Sequence, residues 1–152
     1  MNRPSYLLIF AGVLSFCAAI FQAVIAVVPE WSAAFGAGAA LVSNPLLLLT
    51  LGLLVALLLV LFGLYGLSGA GVTRRLPLLR PGLLVIGLLY SMVGINFVFQ
   101  LLAMLGILPS AGPMPIYQVL VSFGALVAAL AYLIGLAVNW KRLSTKPALA
   151  MS

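Results

Sequence analysis

Four apolar stretches fill most of the chain, and the charged residues fall only at its ends and in the gaps between stretches. The first stretch runs from about Tyr6 to Val28 and stops at Pro29. The second starts at Pro45, with Asn44 placed to cap it, and continues to Leu67. The third runs from Pro81 to about Leu105, and the fourth from Pro115 to Trp140. A hydrocarbon core about 30 Å thick needs roughly 20 helical residues to cross it, and each stretch is at least that long. The pattern predicts an all-α integral membrane protein, a bundle of four transmembrane helices in one membrane domain spanning residues 1–152. The connections expected are 29–44, 68–80 and 106–114, with a tail over 141–152.

The connection over 29–44 carries Trp31, Phe35, Leu41 and Val42, which suits the membrane interface better than open water. A short interfacial segment is expected there, with Pro29 and Glu30 in its first turn. The stretch Ser68-Gly69-Ala70-Gly71 reads as a flexible stop, and Ser110-Ala111-Gly112-Pro113 as a tight turn.

Charge adds a direction. The seven cations are Arg3, then Arg74, Arg75 and Arg80, then Lys141, Arg142 and Lys146; the single acid, Glu30, lies in a gap without Lys or Arg. Three groups of cations on alternate connections must share one side of the membrane. By the positive-inside bias that side is cytoplasmic, so both termini are expected inside. Arg74, Arg75, Arg80, Lys141 and Arg142 read as anchors to anionic headgroups, with Trp31 and Trp140 as aromatic anchors at the two interfaces. A signal peptide is the competing reading of the N-terminus, but Leu7 to Val28 is longer than the roughly 7–15 residues of a signal core.

Composition removes whole classes of function. Hydrophobic residues make up 66% of the chain and charged residues 5%, which no soluble domain matches. The net charge of +6 belongs to helix ends, with no basic stripe or stacking aromatics, so no nucleic-acid partner is expected. Cys17 is the only cysteine and there is no His, so no disulfide, metal centre or resident cofactor is expected. Ser and Thr occur without a His, an Asp or an intramembrane Lys to activate them, so catalysis is not expected either.

Helix association in lipid depends on close backbone approach at small residues. Ala11, Ser15, Ala19, Gln22 and Ala26 make one such row in the first helix; Gly52, Ala56 and Gly63 make one in the second; and Gly87, Ser91 and Gly94 make one in the third. The fourth helix has two rows: Gly124, Ala128, Ala131 and Gly135, and separately Gln118, Ser122, Ala125 and Ala129. A helix with two such rows has one to spare, which suggests contact with another membrane protein or a second copy.

Polar side chains inside the spans gather at one depth. Gln22, Thr50, Asn96, Gln100, Gln118 and Ser122 all fall in the half nearer Glu30. Two readings stand: interhelical amide bonds as packing glue, or a polar pocket binding a ligand through Gln22, Asn96, Gln100, Gln118 and Ser122. A faint echo also links the two halves of the chain, through Phe21-Gln22 with Phe99-Gln100 and Arg74-Arg75-Leu76 with Lys141-Arg142-Leu143.

The run Leu67-Ser68-Gly69-Ala70-Gly71-Val72-Thr73-Arg74-Arg75-Leu76-Pro77-Leu78-Leu79-Arg80 resembles the middle loop of a group of small four-helix inner-membrane proteins of proteobacteria, as does Phe35-Gly36-Ala37-Gly38 in the first connection. The resemblance implies a bacterial inner membrane and the four-helix topology, and no particular activity. Small-multidrug exporters share only the size, because they need a carboxylate inside the first helix where this chain has Gln22. The expectation is therefore a non-catalytic accessory or scaffold subunit of an inner-membrane complex. The alternative is a protein that binds or passes a small amphiphile, a lipid or quinone-like molecule, through the polar pocket.

Overall fold

The apolar stretches become helices because nothing interrupts them, and helix boundaries fall where Pro, Asn or Gly gives a physical reason. The elements in chain order are α1 (Tyr6–Val27), α2 (Pro29–Ala34), α3 (Ala39–Val42), α4 (Pro45–Ala70), α5 (Leu79–Met104), α6 (Ile116–Val138) and α7 (Trp140–Ser144). This computed structural model describes residues 5–35, 38–109 and 115–144, with no strand among them. Arg3, Lys146, the Ser110–Pro113 turn and the tail beyond Ser144 lie outside the described residues. Helices α1, α4, α5 and α6 are each long and apolar enough to cross a membrane.

Asn44 caps α4 by accepting a hydrogen bond from the Leu47 backbone N–H at 3.2 Å, with Pro45 next to it in the first turn. The helix does not end at Leu67. Ser68, Gly69 and Ala70 continue it, and the stop is Gly71, whose left-handed φ of 83° closes a Schellman-type cap through Val72 N–H to the Leu67 carbonyl. The Ser68–Gly71 stretch is thus packed helix and cap, not a flexible link. Ser68 is buried, and its hydroxyl donates to the Arg74 carbonyl (2.9 Å) and accepts from Leu76 N–H (2.9 Å), pinning the following loop. Helix α5 begins at Leu79, two residues before Pro81. Proline is tolerated in that first turn, because its missing N–H would have had no intrahelical partner.

The spans pack as two hairpins, α1 with α4 and α5 with α6, and the hairpins meet mainly along α1 and α6. Glycines set how closely each pair approaches. A Cβ built on Gly66 would lie 2.8 Å from the Gly12 Cα, and one on Gly12 would lie 2.9 Å from the Gly63 carbonyl oxygen, so α1 and α4 touch backbone to backbone. Ala26 stands against Gly52, and Ala56 is buried farther along α4. In the second hairpin Gly94 lies against the Leu126 backbone and Gly87 against the Leu133 side chain, while Ser91 turns its hydroxyl back to the Gly87 carbonyl.

Helix α6 is the most enclosed span, and both of its small-residue rows are buried within this one chain. Ala128, Ala131 and Gly135 are buried on one row, and Ser122, Ala125 and Ala129 on the other. Most of both small-residue rows is used within the chain, and the exposed face of α6 carries large apolar side chains instead, among them Leu120, Phe123, Leu130 and Ile134. Gly124 departs from its assigned packing role, since a Cβ built there would meet nothing within 4 Å.

The continuous hydrophobic core occupies only the end of the bundle that carries the cations, hereafter the basic end. Leu8, Leu83, Ile86, Tyr132 and Leu136 form it, with Gly135 admitting the Leu8 side chain. The arginines there are structural staples as well as interface residues. Arg142 donates to the Gly69 carbonyl (2.8 Å) near the end of α4, and Arg75 donates to the Arg142 carbonyl (3.3 Å). Arg80 donates to the Trp140 carbonyl and lies 4.6 Å from the centre of the Trp140 ring. Arg142 at the Gly69 carbonyl also suits the dipole of α4. Lys141 and Arg74 are exposed at the same end.

Candidate functional site

With the core confined to the basic end, the half of the bundle nearer Glu30, the far half, is loosely filled, and a cavity of about 680 Å³ lies there between the two hairpins. Leu14, Cys17, Phe21, Gln22 and Ala26 of α1 and Leu48, Gly52, Val55 and Leu59 of α4 form one wall. Tyr90 and Val93 of α5 and Val121, Gly124, Ala125 and Ala128 of α6 form the other. The wall is made of small residues where the helices must part: Gly124 leaves space that any other side chain would occupy.

Ser32, Phe35 and Leu41 cover the far end of the cavity. The cover is held by specific contacts. The Ser32 hydroxyl donates to the Ile25 carbonyl at 2.8 Å, folding α2 back onto the end of α1. The Phe35 ring sits between Phe21 (5.2 Å, edge-on) and Tyr117 (4.7 Å), bridging α1 and α6. Trp31 and Glu30 remain exposed beside this cover. The flank is open instead. Helices α4 and α5 touch less than the other neighbouring spans, and the lining residues Leu51, Val55 and Val93 are exposed there, as are Phe21 and Val121 on the α1 and α6 side.

A hydroxyl network lies beneath the cavity, which Tyr90 alone of its members lines. Tyr90 donates to Ser15 Oγ at 2.9 Å, and Tyr132 donates to the Phe62 carbonyl at 2.7 Å. Ser15 Oγ lies 2.9 Å from Tyr132 Oη and 3.0 Å from the Ala11 carbonyl, so its one proton has two acceptors in reach. Every hydroxyl proton has an acceptor, and the groups involved come from all four spans, Ser15 and Ala11 from α1, Phe62 from α4, Tyr90 from α5 and Tyr132 from α6. The Tyr90 and Tyr132 rings stack at 5.8 Å, with the Phe62 ring edge-on to Tyr90 at 5.9 Å. Such a satisfied network in the interior of a bundle fixes the relative placement of all four spans.

Only one member of the expected polar cluster reaches the cavity. Gln22 lines it; Asn96, Gln100, Gln118 and Ser122 do not. Asn96 is exposed and its amide folds back onto its own helix at the Val93 carbonyl (3.2 Å). Thr50 likewise turns to the Leu46 carbonyl (2.7 Å). Gln100 buries its Oε1 without a partner among the described residues, Ser122 is buried in the small-residue row of α6, and Gln118 is half-buried. Shared depth did not bring these groups together, because depth fixes height along the helix and leaves the direction around it free. The tyrosines on the floor were absent from the expected cluster. Their signal was present, since Tyr90 and Tyr132 stand well inside Leu-rich spans where a hydroxyl requires a partner.

The four candidate transmembrane helices define a multi-pass membrane protein. No family model, curated protein or solved structure matches the chain. No group of His, Cys, Asp and Glu able to hold a metal occurs among the described residues. What the arrangement offers is shape and solvent character: an apolar slot with a polar amide near one end and hydroxyls at the floor.

Proposed function

We propose that the protein binds a small membrane amphiphile in the cavity between its hairpins. The cavity itself carries this reading. Its 680 Å³ falls in the range of small-molecule sites, roughly 300–1,000 Å³, and its wall is mostly apolar with few polar groups, as such sites are. The open flank between α4 and α5 gives entry from the bilayer, and the α2–α3 cover closes the route to water. The alternative, an accessory subunit of a membrane complex, draws on the lack of catalytic groups, on short connections and on a spare small-residue row of α6. Of these supports only the last is weakened, because both rows are largely buried within the chain.

Filling the cavity tests the proposal. Gly124→Leu places a side chain into open space, so the fold should be retained while the occupant is excluded. Native mass spectrometry after gentle solubilisation should show a co-purifying amphiphile on the parent protein and none on the variant. Equal retention by both proteins would discard the cavity as the binding site.

We also propose a bacterial inner membrane with the basic end cytoplasmic, supported by the one-sided distribution of the cations and the loop resemblance. In that setting the basic end meets anionic headgroups. Single cysteines at Ala39 and Thr73, both exposed, report it in a Cys17→Ser background. An impermeant maleimide applied to intact spheroplasts should label the first and reach the second only after permeabilisation; the opposite order would invert the protein.

A further inference from the structure

The charges and the depth of Gln22 specify the ligand further, given the cavity reading above. Every described Lys and Arg lies at the basic end, in the loop at 74–75, in the first turn of α5 or in α7, and none lines the cavity. The charge nearest the covered end is the carboxylate of Glu30, two residues from the lining residue Ser32. An anionic head in this slot would have no counter-ion and an unfavourable neighbour, and buried charges require pairing. No carboxylate lines the cavity either, and Glu30 is exposed outside it, so a cationic head held beside Gln22 would be equally unpaired and the ligand head is uncharged.

Gln22 lies five residues before the end of α1, about 8 Å below it at the helical rise. A Cβ built on Gly52 would lie 3.9 Å from Gln22 Nε2, so the amide nitrogen reaches toward the bare backbone of α4 across the slot. The amide makes no hydrogen bond to another described residue, which leaves a donor and an acceptor for a ligand. With the apolar length of α1 taken as the hydrocarbon thickness, a head at this depth lies below the hydrated level that suits a glycerol hydroxyl. Phe21 and Phe35 offer ring faces and edges beside it. We propose that the occupant is an uncharged, carbonyl-bearing ring of the quinone class. Gln22 donates to one ring carbonyl, and the tail leaves through the α4–α5 flank, where its length is unrestricted.

The probe is a decyl benzoquinone with every ring position substituted, so that the Cys17 thiol has no open carbon to add to. Trp31 adjoins the covered end, and Trp140→Phe removes the only other tryptophan, at the opposite end. In nanodiscs of zwitterionic lipid the quinone should quench Trp31 saturably. Gln22→Leu should weaken the apparent affinity about tenfold, since each 1.4 kcal/mol is tenfold and a buried amide bond is worth roughly that much. Gln22→Met, of similar length and without a donor, serves if the Leu variant does not fold. Unchanged affinity in the folded Gln22 variant, or equal displacement by phosphatidylglycerol or dioctanoylglycerol, overturns the ligand assignment while leaving the cavity reading intact. Unchanged affinity in folded Gly124→Leu overturns the cavity reading itself.

Discussion

Replacing Gly66 by alanine should destabilise the protein, whereas the same replacement at Gly124 should leave it unchanged or slightly firmer. Both glycines lie inside helices, so alanine gains roughly 1 kcal/mol of intrinsic helix preference at either position. The surroundings decide the sign. At Gly66 the new methyl would lie 2.8 Å from the Gly12 Cα, 2.9 Å from the Gly12 nitrogen and 3.0 Å from the Leu8 carbonyl oxygen. All three are backbone atoms of α1, so relief requires moving one helix away from the other. Overpacking of this kind costs about 1–3 kcal/mol, enough to cancel the propensity gain and reverse it. Gly66→Leu should exceed that and prevent recovery of folded protein. At Gly124 nothing lies within 4 Å, so the propensity gain should survive. Unfolding of the two alanine variants in mixed micelles, followed by helical circular dichroism, should come earlier than in the parent for Gly66→Ala and no earlier for Gly124→Ala. A stable Gly66→Ala protein would mean that α1 and α4 do not approach as closely as described.

This contrast also shows what could be read from the chain and what could not. The four spans follow from length and hydropathy, because an uninterrupted apolar run has few other ways to satisfy its backbone in lipid. The small-residue rows at Gly52, Gly63, Gly87 and Gly94 were visible as spacing, and each of these glycines does lie against a neighbouring helix. Gly12 and Gly66, which bring α1 and α4 backbone to backbone, carry no such spacing signal, because Gly12 stands one position from the Ala11-Ser15-Ala19 row. Gly124 has the same spacing signal as Gly135 yet faces open space, and no periodicity distinguishes packing from vacancy. The polar residues were harder still. In an alternating strand, position gives direction; in a nearly uniformly apolar helix the rotational phase is set by the partner. Asn96 is therefore exposed while Gln22, at a similar depth, lines the cavity.

Tyr132→Ala should be among the most damaging truncations of a side chain in this protein. Tyr132 is the largest fully buried residue, at 0% exposure, and it belongs both to the core of the basic end and to the hydroxyl network beneath the cavity. Truncating a buried aromatic side chain to alanine typically costs about 3–5 kcal/mol through lost packing and the void left behind. Tyr132→Phe isolates the hydroxyl: the ring remains stacked on Tyr90, while Ser15 loses one neighbour and the Phe62 carbonyl loses its donor. Hydrogen bonds between membrane helices average roughly 0.6 kcal/mol and reach about 1.7, so the phenylalanine variant should lose no more than about 2 kcal/mol. The two losses should separate in one denaturation series, with Ser15→Ala near the phenylalanine value. Ser15→Ala combined with Tyr132→Phe should cost less than the sum of the two, because both changes remove the same bond. Strict additivity would mean that Ser15 and Tyr132 do not share a proton, and the floor of the cavity would then be four packed helices without a common hydrogen-bonded centre.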